Sequence, residues 1–317
     1  MTIDLLYPAI SLIIGLIILV WSADKFVLGA ASTALNFGMS PLLIGLTIVS
    51  FGTSAPEILV AIMATIDNSG TLAVGNAIGS NIANIALVLG ATALIAPLPV
   101  KNSVRSKELP LMLAVTVIAG AVLFNLKLDV IDSIILFAAL LISLVLFARF
   151  QQDMGDHEDE EIEKLSTSSS IFWLVFGLVL LVASSKALVW GATQIAEGFG
   201  VSDLVIGLTI VAIGTSLPEL AASIASALRG HHDIAIGNII GSNIFNIGAV
   251  MSIPALAGTI ELSSQVFIRD YLLMLALSVL LLAFCFMRKP ASVKRLEGII
   301  LLGIYTGYMA LLYLTST

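Results

Sequence analysis

The chain has 317 residues, of which 59% are hydrophobic and only 11% are charged, and its formal net charge is −7. Soluble domains carry roughly a quarter charged residues, so this composition excludes a soluble globular protein. It predicts an all-α polytopic membrane protein surrounded by the lipid bilayer, with no nucleic acid among its partners and no protein partner that can be predicted.

Apolar runs long enough to span a bilayer, on the order of 17 to 25 residues each, recur along the chain. They predict about ten transmembrane helices, near residues 4–21, 41–66, 71–96, 109–125, 129–148, 169–190, 203–228, 233–258, 266–287 and 297–315. Residues 1–6 contain Asp4 but no Lys or Arg. We therefore expect the first run to be a retained span rather than a cleavable signal peptide.

One segment of the chain occurs twice. Residues 45–90 align with residues 207–252 at a constant offset of 162 positions, without a gap, and 22 of the 46 positions are identical. Five predicted helices separate equivalent points, and an odd number reverses the direction of the chain through the membrane. We therefore expect two inverted-topology repeats of five helices, residues 1–150 and 169–317, joined by a linker at residues 151–168.

Seven acidic residues between positions 153 and 163 make this linker the most acidic connection of the chain. A solvated cytoplasmic linker accounts for such a run. A cation-sensing loop is the alternative, but the run lacks the ligand spacing and the glycine of an EF-hand.

Basic residues lie mostly on one side of the predicted membrane. Ten of them follow odd-numbered helices: Lys101, Arg105, Lys107, Arg149, Lys164, Arg229, Arg288, Lys289, Lys294 and Arg295. Lys127 and Arg269 follow even-numbered helices. By the positive-inside rule the odd-numbered connections, including the acidic linker, are cytoplasmic. Both termini are then expected outside.

Each repeat places a Pro-Glu pair, at positions 56–57 and 218–219, in the middle of a predicted helix. A helical proline lacks an N–H group and crowds the carbonyl group four residues earlier, so the helix should open there. Carbonyl groups from Ser50 to Thr53 and from Ala212 to Thr215 then become available as ligands. Each glutamate begins the half-helix that follows.

Further oxygen-bearing side chains share a face with the glutamates. Thr53 and Ser54 lie about one helical turn from Glu57. The next predicted helix of each repeat carries a polar stripe with four-residue spacing: Asn76, Ser80 and Asn84, and Asn238, Ser242 and Asn246. Such oxygen ligands suit Ca²⁺ and Na⁺, and because neither motif contains Cys or His, zinc and copper are disfavoured.

Any one of these Ser, Thr or Asn residues is more often packing glue between membrane helices than a ligand. The glutamates are different, because two of them occupy equivalent positions with no Arg or Lys in either motif. That pattern favours an ion site over a structural role. No general base lies near the motif hydroxyls, so we expect neither enzyme activity nor a cofactor.

The paired blocks 45–57 with 75–84, and 207–219 with 237–246, resemble the cation/calcium exchanger superfamily, specifically prokaryotic sodium/calcium exchangers and their potassium-dependent relatives. The likeness covers essentially the whole chain and implies a multi-pass protein of the prokaryotic inner or plasma membrane. It also implies a set of residues that bind the transported Ca²⁺ and Na⁺: Glu57 and Glu219 as principal ligands, Thr53, Ser54, Thr215 and Ser216 around them, carbonyls of Ser50 and Ala212, Ser80 and Ser242 at flanking Na⁺ sites, and Asn84 and Asn246 at the centre.

One position departs from that pattern, because Asn246 stands where well-known sodium/calcium exchangers carry an aspartate. The central charge is then −2, which one Ca²⁺ or two Na⁺ balance. The predicted function is a secondary active antiporter that exchanges Ca²⁺ for Na⁺ by alternating access. A proton-coupled cation exchanger and a cation channel are the rival predictions, and dependence on K⁺ stays open.

Overall fold

The structure is a computed structural model that describes residues 5–152, 164–199, 210 and 212–316. Its helices in these ranges are α1 (Leu6–Phe37), α2 (Pro41–Thr53), α3 (Ala55–Ile66), α4 (Gly70–Ile95), α5 (Val104–Leu123), α6 (Val130–Gln152), α7 (Thr167–Gly198), α8 (Ala212–Thr215), α9 (Leu217–Leu228), α10 (His232–Ala257), α11 (Val266–Met287) and α12 (Arg295–Ser316). The strands in the same ranges are β1 (Leu98–Pro99), β2 (Lys127–Leu128), β3 (Ile260–Glu261) and β4 (Ser292–Val293).

Eight helices of the described chain are long and apolar enough to cross a membrane, and there are nine such spans when the bent pair α2–α3 is counted as one. The short apolar helix α9 occupies the second part of the predicted seventh helix. The first part of that helix, apart from residue 210, and the acidic run at 153–163 lie outside the described residues. The chain is therefore an all-helical, multi-pass integral membrane protein.

Helices α1 and α7 are much longer than the apolar runs that predict them. Each has 32 residues, whereas the runs at 4–21 and 169–190 are shorter. Polar residues ended the first run, but α1 continues through them because Asp24 pairs with Arg229 and the Ser22 hydroxyl donates to the Leu19 carbonyl. The predicted end of the first helix at residue 21 was thus wrong.

These two long helices pack against each other along their length. Small residues permit this, since a Cβ at Gly29 would overlap the backbone of Leu174 and a Cβ at Gly177 would overlap the backbone of Phe26. Buried apolar side chains of the described residues form two clusters, and the smaller one lies where α1 and α7 meet α2, α9 and α10. The α1–α7 pair is therefore a separate layer on a larger helical core.

Two short antiparallel pairings mark opposite ends of the core. β1 pairs with β4, so the connections after α4 and after α11 meet. β2 pairs with β3, so the connections after α5 and after α10 meet. We call these ends the β1–β4 face and the β2–β3 face. The grouping agrees with the predicted division into odd-numbered and even-numbered connections.

Helix α10 crosses α2 at close range, which brings the two duplicated segments together. A Cβ at Gly237 would lie 2.8 Å from the Leu42 carbonyl oxygen, and a Cβ at Gly45 would lie 2.7 Å from the Ile234 carbonyl oxygen. Only glycine fits both positions, as in other tightly packed membrane helices. This crossing places the polar stripe of α10 beside the break between α2 and α3.

Candidate cation site

The chain direction changes at Ser54, where α2 and α3 meet at 43°. Its repeat equivalent Ser216 separates α8 from α9, and the two residues have similar backbone angles, with φ of −81° and −89° and ψ of 3° and 5°. Each proline falls in the first turn of the new helix, where its missing N–H group costs little. The helix breaks that the two Pro-Glu pairs predict are therefore both present, and their backbone conformations are similar.

Glu57 and Glu219 lie in the first turns of α3 and α9, directly after these breaks. Both are 1% exposed, and they are close enough to repel each other. Among the described residues, no Lys or Arg forms an ion pair with either of them. Such buried negative charge is unfavourable in a membrane unless a cation or a proton neutralises it.

Hydrogen bonds link the two copies of the motif across the site. The Ser54 hydroxyl donates to Glu219 Oε1 at 3.3 Å, and the Thr53 hydroxyl donates to Asn238 Oδ1 at 3.0 Å. On the other side, Ser80 lies beside the Glu57 carboxylate. Residues that are far apart in the chain thus form one polar centre.

Several buried polar atoms at this centre have no hydrogen-bond partner among the described residues: Glu57 Oε2, Glu219 Oε2, Ser216 Oγ, Ser242 Oγ, and both side-chain amide atoms of Asn84 and of Asn246. An unpartnered polar group within a membrane costs free energy on the order of several kcal/mol. A cation bound by the oxygens would remove that cost, and the two amide nitrogens would need acceptors of their own. The donor set fits hard cations such as Ca²⁺ and Na⁺.

The predicted carbonyl ligands differ between the two copies. The Ser50 carbonyl accepts the Ser54 amide at 3.0 Å, as in an ordinary helical turn. In the second copy the Ser216 amide donates to the Ile213 carbonyl, three residues back, at 3.1 Å. The backbone before the break is thus bonded differently in the two copies, and the Ser50 carbonyl already accepts an amide.

Two serines near the site were missed by the sequence reasoning. Ser223 accepts the Asn238 side-chain amide at 3.0 Å, and Ser185 of α7 donates to the Gly214 carbonyl at 3.0 Å. Their repeat equivalents are Ala61 and Ala23, so the internal duplication carried no signal for them. Asn238 is consequently held by three hydrogen bonds, whereas the buried amide nitrogen of Asn76 has no partner within the described chain.

Thr215 is only partly buried, unlike the other predicted side-chain ligands. Together with Pro56 it lines a cavity of about 620 Å³ between α3 and α7. The cavity reaches Asp67 and Ser69, which connect α3 with α4, and Gly70 in turn lies close to Ile260 of β3. The cavity therefore runs from the edge of the site towards the β2–β3 face.

Comparisons with known proteins agree with this geometry. The family described as sodium/calcium exchanger protein matches residues 7–149 and 169–314. The putative antiporter CaxA of Alkalimonas amylolytica is 44% identical over 98% of this chain and 99% of its own. Inner membrane protein YrbG of Escherichia coli (strain K12) is 42% identical over 96% of both chains.

A structural comparison extends the match to the arrangement of helices. Structures of the sodium-calcium exchanger NCX_Mj, obtained after soaking with Na⁺ together with Sr²⁺ or Ca²⁺, resemble this structure. One of them gives a TM-score of 0.84 at 32% identity and covers 98% of this chain and 99% of its own. The family match spans both duplicated motifs, and the fold agrees over nearly the full length. This chain is therefore a member of the sodium/calcium exchanger family of membrane transporters.

Proposed function

We propose that this protein is a secondary active antiporter that exchanges Ca²⁺ for Na⁺ across a prokaryotic cell membrane. The observation that carries the proposal is the pair of buried glutamates, Glu57 and Glu219, at two equivalent helix breaks. Each glutamate has a carboxylate oxygen with no hydrogen-bond partner among the described residues, and the chain belongs to the sodium/calcium exchanger family.

We further propose ten spanning segments in two inverted halves. The offset of 162 residues relates the two breaks, and under that offset β1 of the first half aligns with β3 of the second. β2 and β4 follow the corresponding helices α5 and α11 of the two halves, although β4 begins three residues later than the offset gives. The pairings β1 with β4 and β2 with β3 would then be related by exchange of the halves. The excess of basic residues makes the β1–β4 face cytoplasmic and leaves both termini outside.

The same oxygens serve both cations in turn. Glu57, Glu219 and the neighbouring hydroxyls, amides and carbonyls would bind one Ca²⁺ or two Na⁺, because either load balances two negative charges. Ser80 and Ser242 would contribute to the flanking Na⁺ positions. Since both ions need the same carboxylates, Na⁺ expels Ca²⁺, and this competition couples the two fluxes.

Alternating access follows from the separate α1–α7 layer. The cavity at Thr215 lies between this layer and the core, towards the β2–β3 face. With that face outside, as proposed above, the present conformation is the outward-open one. Sliding of α1 and α7 over the core would close this cavity and open the equivalent space on the other face. Bare glutamates oppose that step, because uncompensated charge would be enclosed in the membrane.

Reconstituted protein tests the proposal. Proteoliposomes loaded with Na⁺ and diluted into Na⁺-free buffer should take up ⁴⁵Ca²⁺, and vesicles loaded with an impermeant organic cation should not. Equal K⁺ on both sides with valinomycin would hold the membrane potential at zero, so that Na⁺ leaving through a channel could not draw Ca²⁺ in. Under that condition a channel would admit ⁴⁵Ca²⁺ equally in both cases. Equal uptake would therefore contradict exchange.

One observation favours a second candidate, a proton-coupled exchanger. Asn246 leaves Glu57 and Glu219 as the only carboxylates among the predicted ligands. Protonation of one of them would also neutralise the empty carrier. In that case a pH gradient without Na⁺ would drive ⁴⁵Ca²⁺ uptake.

A further inference from the structure

Two charged residues of α1 and α7 occupy equivalent positions of the duplicated sequence. Asp24 of α1 aligns with Lys186 of α7 at the offset of 162 residues. The residues that directly follow α3 and α9, Asp67 and Arg229, align at the same offset. Both positions change sign between the halves. The two combinations across the halves, Asp24 with Arg229 and Lys186 with Asp67, are therefore both attractive.

The two pairs differ in the structure: the first is in contact and the second is not. Arg229 Nε donates to Asp24 Oδ1 at 2.5 Å, where α1 packs along α9. Lys25 lies 3.9 Å from the same carboxylate and places its ammonium over the Trp173 ring. Arg229 is thus the close partner of Asp24, and it ties α1 to the end of α9 towards the β1–β4 face.

The equivalent pair is open. Asp67 and Lys186 are both exposed, and both line the cavity of about 620 Å³ that separates α3 from α7. No ion pair joins them in the described part of the chain. One face therefore has a closed ion pair and packed helices, whereas the other has an open pair and a cavity.

A single movement of the α1–α7 layer would close the open pair and open the closed one. Closing the cavity brings α7 towards α3, and hence Lys186 towards Asp67. Because α1 moves together with α7 as one layer, the same movement withdraws Asp24 from Arg229. The two halves would then have exchanged conformations, as expected for a carrier built from inverted repeats.

We propose that Asp24–Arg229 and Asp67–Lys186 are two alternating ion-pair latches, each of which holds one face closed while the other is open. The inference rests on the alternating access proposed above and adds residues outside the cation site to it. Partly exposed ion pairs are weak, so each latch shifts the balance between the two states by about two- to fivefold. This is enough to bias the conformations without trapping either one.

A cysteine reporter on the cavity wall tests the latches. Met63 lines the cavity and is largely exposed. Met63→Cys would be introduced into the protein in nanodiscs without any ion gradient, and its rate of alkylation by a hydrophilic maleimide would be measured. The native Cys285 is buried, so protein without the Met63 substitution provides the background.

Asp24→Asn and Arg229→Gln weaken the closed latch and should lower the alkylation rate by up to about fivefold. Lys186→Gln and Asp67→Asn remove the other latch and should not lower it. Glu197→Gln, an exposed charge removal elsewhere on α7, is the matched control and should have no effect. Unchanged rates in both Asp24→Asn and Arg229→Gln, or a slower rate in Lys186→Gln, would overturn the proposal.

A charge exchange separates a latch from a general surface effect. Lys186→Asp places two acidic residues across the cavity, and adding Asp67→Lys restores an attractive pair. Turnover of Na⁺-driven ⁴⁵Ca²⁺ exchange should fall in the single variant and recover in the double variant. The alkylation experiment needs no ion gradient and no exchange activity. If the protein shows no Na⁺-driven ⁴⁵Ca²⁺ exchange, the proposed function is refuted, but the alkylation rates of the variants still test the latches.

Discussion

Glu57 and Glu219 carry the charge of the proposed site, so each supplies half of the attraction felt by the transported cation. Replacing one carboxylate by an amide removes an attraction of about 4 kcal/mol per unit of cation charge at 4 Å, for an effective dielectric constant of about 20. Glu57→Gln and Glu219→Gln should each lower Na⁺-driven ⁴⁵Ca²⁺ uptake by on the order of 100-fold or more. Glu261→Gln is the control, because that side chain is 79% exposed on β3. Full uptake by Glu57→Gln would show that Glu57 does not bind the transported cation.

Asn246 determines the charge balance of the proposed exchange. With two carboxylates, one Ca²⁺ replaces two Na⁺ and no net charge moves. Asn246→Asp adds a third carboxylate, which a third Na⁺ would balance, so Ca²⁺ uptake would export one positive charge. An inside-positive potential set by K⁺ and valinomycin should then accelerate uptake by the variant and leave the parent protein unaffected.

Asn84→Asp offers a companion to that experiment, since Asn84 is the repeat equivalent of Asn246 and is equally buried. It should produce the same dependence on membrane potential. If the parent protein already responds to potential as strongly as either variant, the assignment of two Na⁺ per Ca²⁺ is wrong.

The positions of the polar residues near the site could be predicted because they occur in both copies of the motif. Their partners could not always be predicted. Ser185 and Ser223 hydrogen-bond to groups at the site, but Ala23 and Ala61 replace them in the other half. An internal repeat identifies only the residues that both halves share, and these two serines occur in the second half alone.

Close contact between α2 and α10 depends on glycine. Gly237→Ala would place a Cβ 2.8 Å from the Leu42 carbonyl oxygen and would force the helices apart. Overpacking of this kind costs about 1 to 3 kcal/mol. The variant should therefore unfold at a lower temperature in detergent, as followed by intrinsic fluorescence.

Gly303→Ala on α12 is the matched control, because a Cβ there meets no described atom within 4 Å. Its unfolding temperature should match or exceed that of the parent protein. Equal unfolding temperatures for Gly237→Ala and Gly303→Ala would show that the crossing tolerates a larger residue.

The long helices of the described chain lie where hydropathy predicts them, but the lengths of α1 and α7 do not follow from hydropathy. The apolar run of α1 stops before Asp24, yet the helix continues to Phe37. Hydropathy reads each residue alone, whereas the Asp24 carboxylate is stabilised by Arg229, 205 positions later in the chain. Pairing over such distances is a property of the folded molecule.

At the scale of the whole molecule, the two halves share a sequence motif and similar helix breaks, but their contacts with the α1–α7 layer differ. The β2–β3 face has a cavity beside α3 and α7, and the β1–β4 face has α1 packed on α9. Equivalent residues build both faces, so the sequence predicts two states and leaves open which of them is populated. The packing of the α1–α7 layer against the core differs between the two faces.

The coupling ion is the central claim about the molecule as a whole, and one measurement tests it most directly. Purified protein in proteoliposomes would be given outward gradients of Na⁺, of H⁺ or of K⁺, one at a time, and initial ⁴⁵Ca²⁺ uptake would be compared with Glu57→Gln under the same gradients. We expect the Na⁺ gradient alone to drive uptake, and only in the parent protein. Uptake driven by the H⁺ gradient in the absence of Na⁺ would contradict sodium/calcium exchange and identify protonation of the glutamates as the coupling step.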